Sequence, residues 1–222
     1  MMTNLFSIFD PSSSSLFNFN WLSIIMSLFL FPFLFWTIPS RFQMSINYLF
    51  LSVKKELINN FILMNYNSLW IFLALFWFIL INNFMGLYPY IFTATSHISL
   101  TLMMSFPFWL MLMLFGWINY TNHMFTHLVP TGTPMILSSF MVCIESISNI
   151  IRPITLAIRL AANMIAGHLL LTLLSNILEK LPNMILMIIP LIIMLLILEA
   201  AVAIIQSYVF VTLASLYLNE IN

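Results

Sequence analysis

Charge is what this sequence has least of. Of its 222 residues, six are Lys or Arg and six are Asp or Glu, 5% in all, where a soluble domain carries about a quarter. The formal net charge is zero, so there is no electrostatic case for nucleic acid as a partner. Cysteine occurs once, at Cys143, which excludes an internal disulfide; a lone thiol of this kind reads as a small buried packing residue. The apolar runs do not alternate in polarity, so a β-barrel is disfavoured. No internal repeat is visible, which counts weakly against the inverted-repeat transporter plan. The opening MMTNLFSIFDPSSSS has neither the basic region of a signal peptide nor the Arg-rich pattern of a transit peptide. The expectation is a protein made where it works, or inserted directly.

What is abundant is apolar: 63% of residues are hydrophobic. Helices satisfy their own backbone in lipid, so the class is an all-α polytopic membrane protein, a single membrane domain over 1–222. Five crossings are expected. The first is 20–38, anchored by Trp21 and Trp36 and kinked at Pro32. The segment 41–64, with Arg41, Lys54, Lys55 and Glu56, is too polar to span and reads as an amphipathic helix on the membrane surface. Three of the six basic residues lie in it, which marks that side as the matrix or cytoplasmic one. Spans at 69–87 and 99–118 follow, the latter with Pro107 inside it. A linker with His123 and His127, broken by Pro130, Gly132 and Pro134, leads to two long segments, 135–177 and 183–218. At 1.5 Å per residue a helix of about 40 residues is roughly 60 Å long, against a hydrocarbon core of about 30 Å. Both are therefore expected to lie strongly tilted, as an antiparallel hairpin.

No residue from Leu57 to Ile144 is charged, yet the next stretch holds Glu145, Arg152, Arg159 and His168. An arginine at mid-bilayer costs about 3 kcal/mol on insertion scales. These groups are either an ion or proton path or a buried structural ion pair. Glu145, Arg152 and Arg159 are seven apart and stack along one helix face; Asn149 and Asn163 extend the stripe. His168, nine residues beyond Arg159, falls about half a turn away, so the helix serves two polar compartments. Counting outward from the turn near Leu181-Pro182 sets His168 across from Glu199, and Arg159 across from Gln206.

The stretch RPITLAIRLAANMIAGHLLL, Arg152 to Leu171, resembles the signature of subunit a of the F-type rotary ATP synthases, an arginine within RLxxNxxAGH. It is met here by Arg159, Leu160, Asn163, Ala166, Gly167 and His168. MTNLFSIFDP, NNFMGLYPYIFTATSH and LEAAVAIIQSYVF resemble the mitochondrial version, so the likeness covers essentially the whole chain. The resemblance implies a stator in the mitochondrial inner membrane, facing a rotating c-ring and contacting lipid, other membrane-sector subunits and the peripheral stalk. It implies two half-channels that carry protons to and from the ring carboxylates. In that picture Arg159 is the essential arginine, and His168 and Glu199 are the pair of the intermembrane-space half-channel. Glu145 is the acidic residue of the matrix half-channel, and Asn163 and Gln206 are polar neighbours of the arginine. No catalytic site, cofactor or metal on the chain itself is implied. The topology puts the N-terminus in the intermembrane space and the C-terminus in the matrix.

Two other readings of the residues stand beside this one. The charges could be braces in a purely structural subunit. Alternatively His123 and His127, four apart, could share a helix face and hold a metal, although no Cys or acidic ligand is near them in sequence.

Overall fold

The computed structural model describes residues 5–13, 18–29, 38–60, 69–129, 134–181 and 185–221. Among these every regular element is helical: α1 (Leu22–Phe29), α2 (Arg41–Asn60), α3 (Leu69–Leu87), α4 (Ile98–Asn119), α5 (Thr121–Leu128), α6 (Met135–Lys180) and α7 (Ile185–Ile221), with short 3-10 turns at Leu5–Phe9, Phe19–Trp21 and Ala94–Ser96. The helices α3, α4, α6 and α7 are long and apolar enough to cross a membrane. The first span is described only to Phe29, and its Pro32 and Trp36 lie outside the described residues.

Local chemistry sets several boundaries. The Asp10-Pro11 turn is closed by the Ser12 backbone N–H donating to Asp10 Oδ1 at 3.1 Å, which holds that exposed carboxyl below its ordinary pKa. Pro39 precedes α2, and Ser40 and Gln43 form a capping box. The Ser40 N–H donates to Gln43 Oε1 at 2.9 Å, and the Gln43 N–H donates to Ser40 Oγ at 3.4 Å. Two orphan donors at the helix start are thereby satisfied. Lys54 Nζ lies 4.7 Å from the centre of the Trp70 ring, tying α2 to the start of α3. The linker ahead of α6 contains a helix. Its first half forms α5, because the breakers come only after Leu128.

Packing centres on α3, which lies along α7, while α4 lies along α6 and α6 pairs with α7. The buried core joins Phe72, Phe76 and Ile79 of α3 to Leu156 and Leu160 of α6 and Phe210 of α7. Leu57 of α2 and Leu218 near the end of α7 belong to the same cluster, so α2 and the C-terminal end of α7 share one end of the molecule. The outer faces of α6 and α7 keep Ile147, Ile151, Met194 and Ile197 exposed, as lipid solvation requires. Cys143, expected to be buried, is exposed on the same outer surface of α6. In lipid-facing helices an apolar residue loses nothing by pointing outward, so its character does not report burial. Pro107, Pro153 and Pro190 all sit inside continuous helices.

Candidate functional site

Helix α6 sorts its residues by face. Leu156, Ala157, Leu160, Ala161 and Met164 are buried, whereas Arg159, Ala162, Asn163 and Ala166 are exposed. The exposed set recurs at i, i+3, i+4 and i+7, one stripe of a helix. Arg159 makes no ion pair or hydrogen bond among the described residues. It stands as a guanidinium on an outer surface whose near neighbours are the alanines Ala162 and Ala166 and the half-exposed Ile158.

One turn further on, Asn163 Nδ2 donates to Gln206 Oε1 of α7 at 2.9 Å. Gln206 is buried. The hairpin register thus differs by a turn from the pairing read from spacing, in which Gln206 faced Arg159. Two long helices cross at an angle and do not stay in step along their length. Gln206 is thereby bonded to Asn163 and not to Arg159.

His168 and Glu199 do meet. His168 Nε2 lies 3.7 Å from Glu199 Oε1, an ion-pair separation longer than a hydrogen bond. The side chain of Glu199 is 3% exposed and that of His168 12%. Neither Glu199 oxygen accepts a hydrogen bond among the described residues. A buried charge without a partner is expensive, so this carboxyl depends on the imidazole beside it. The adjoining Gly167 makes the approach possible. A Cβ there would lie 2.5 Å from Glu199 Oε1 and 2.8 Å from its Cδ. The Phe9 ring of the N-terminal 3-10 turn packs edge-on to His168 at 6.4 Å between centroids. Neither contact was read from the sequence; the glycine of the signature was the available signal for the first.

The other cluster lies toward the opposite end of α6, at 1.5 Å per residue roughly 24 Å from His168 for Arg152 and about 35 Å for Glu145. Glu145 Oε1 and Arg152 Nη2 are 3.9 Å apart, both half-buried. The Arg152 guanidinium also lies over the Tyr217 ring of α7, 4.8 Å from its centre. These three side chains line a cavity of about 450 Å³ with Asn149, Ser146 and His127, closed by Trp109, Met113 and Trp117 of α4. His123 and His127 share a face of α5 with ring centroids 4.7 Å apart. Among the described residues no group of three or more His, Cys, Asp or Glu is arranged to hold a metal ion.

Ionisable groups strung along one spanning helix, paired at both ends and left bare near the middle, define a class: a polytopic membrane protein with polar sites built between its longest helices. The family model described as ATP synthase A chain matches residues 17–219, and the chain belongs to that family. It is 57% identical over 226 residues to the ATP synthase subunit a of Anopheles quadrimaculatus. To those of Drosophila melanogaster and Aedes aegypti it is 56% identical over 224 and 54% over 226 residues. In each case 100% of both chains is covered.

Proposed function

We propose that this chain is the proton-conducting stator of an F-type ATP synthase in the mitochondrial inner membrane. It holds two half-channels that deliver protons to and from the carboxylates of a rotating c-ring. Family membership supports the coarser statement, a subunit of the membrane part of an ATP synthase. The finer reading rests above all on Arg159, a cation exposed on an outer face of α6 and unpaired among the described residues. A charge so placed calls for an anionic partner from outside the chain.

The residue chemistry supplies the rest. A guanidinium stays protonated at physiological pH. Arg159 therefore does not pass a proton on; it attracts the ionised form of a ring carboxyl and promotes release of its proton. The same fixed charge repels protons, and so separates the two paths. Ala162 and Ala166 beside it leave room for a partner helix to approach closely. On the intermembrane-space side the pair His168 and Glu199 loads protons. On the matrix side Glu145 receives them, while Arg152, paired with Glu145, serves as a structural counter-ion. A membrane potential contributes about 2.3 kcal/mol per charge per 100 mV, so a ring that collects several protons can drive synthesis.

The test is Arg159→Ala and Arg159→Lys in vesicles with matched assembly of the complex, reading ATP synthesis and passive proton conductance. Both variants should lose coupled synthesis, and Arg159→Ala should leak protons. A lysine in apolar surroundings can become neutral and lacks the planar fork. Retention of most coupled synthesis by Arg159→Lys would remove the separator role. A drop in assembly alone would favour a structural brace.

A further inference from the structure

The cavity at the Glu145 end contains a group that the proposed proton path does not yet use. His127 lines it from α5, opposite Glu145 and Arg152 of α6 and beside Tyr217 of α7. Unlike the buried Glu199, His127 is exposed, so it touches both the cavity and the outer surface of the chain. The wall given by α4 carries Trp109, Met113 and Trp117, none of them charged. Among the described residues a further titratable group, His123, lies on the same face of α5.

Among these groups few can both take up and release a proton. Arg152 keeps its proton. Ser146, Asn149 and Tyr217 orient water by hydrogen bonding but are poor carriers. That leaves the Glu145 carboxylate inside the cavity and the His127 imidazole at its rim. A neutral imidazole accepts at one nitrogen while donating at the other, so one ring can both take up and pass on a proton.

We propose that His127 is the proton-exchanging residue at the mouth of this cavity, transferring protons between Glu145 and the soluble buffer. The proposal rests on reading the cavity as the matrix-side path. During synthesis the Glu145 carboxyl gives its proton, through water, to the imidazole and returns to carboxylate. The imidazolium then gives that proton to a buffer base. During ATP hydrolysis both transfers reverse: a buffer acid protonates the imidazole, which protonates Glu145. A rim acid–base group matters most when mobile buffer is scarce, because water alone is then the donor.

Inverted inner-membrane vesicles expose this face to the medium, so the test uses ATP-driven proton pumping per assembled complex at low and high external buffer. The buffer is MOPS, which does not cross the membrane. At low buffer His127→Gln and His127→Ala should pump several-fold more slowly than the parent, and added MOPS should restore most of the rate. His123→Gln, which leaves the cavity lining intact, should respond to buffer as the parent does. Parental rates at low buffer for both His127 variants would overturn the proposal. So would a loss that MOPS does not restore, which would mark a packing role. Glu145→Gln separates the two levels. If it abolishes pumping while the His127 variants are normal, only the His127 assignment falls; if it pumps normally, the reading of the cavity falls with it.

Discussion

Gly167 and Glu199 are a single feature seen from two helices. The carboxylate occupies the volume that any larger residue at 167 would need. Gly167→Ala should push the Glu199 side chain away from His168, at an overpacking cost of about 1–3 kcal/mol. ATP synthesis per assembled complex should then fall sharply while passive conductance stays low, as vesicle measurements can establish. Arg152→Lys should be much milder than Arg159→Lys. Lysine keeps the positive charge that Glu145 needs, although it forfeits the planar contact with Tyr217. Near-parental synthesis in Arg152→Lys, measured at matched assembly, is the expected outcome. These ionisable residues were legible in the sequence because a charge in an apolar helix has no ordinary explanation. The partners that complete them were less so. Phe9 and Tyr217 are aromatic residues among many, and only the fold brings them to His168 and Arg152.

At the scale of elements, apolar length carried most of the information. The four long helices could be read from it because lipid demands unbroken hydrogen-bonded helix wherever a run is apolar. The prolines inside the expected spans agree with that reading. Pro107, Pro153 and Pro190 do not end their helices, since neighbouring helices can compensate the lost hydrogen bond in a membrane protein. The hairpin register came within a turn: His168 finds Glu199, but Gln206 finds Asn163. A crossing angle cannot be read from spacing. For α2 the capping box gives a local prediction. Ser40→Ala should cost about 1 kcal/mol at the helix start. Hydrogen exchange of the first-turn amides of α2 should therefore quicken about fivefold, with α3 unchanged.

For the whole molecule, we propose five crossings, an odd number that would put the two termini on opposite faces of the membrane. Labels placed near residue 5 and near residue 221 should be reached by impermeant reagents from opposite sides of intact inner-membrane vesicles. Accessibility of both from one side would contradict the five-crossing topology. The excess length of α6 and α7 has a mechanical consequence as well. At 1.5 Å per residue, α6, with its 46 residues, is about 69 Å long, too long to stand upright in a core of about 30 Å. An upright helix would stack the Glu145 and His168 ends above one another. A slanted one also shifts them sideways, so in the function proposed above entry and exit would meet a passing cylinder at different points of its circumference. Mirror symmetry would thereby be lost: clockwise and anticlockwise travel would be inequivalent, and the lean of one helix would be enough to give such a machine a handedness.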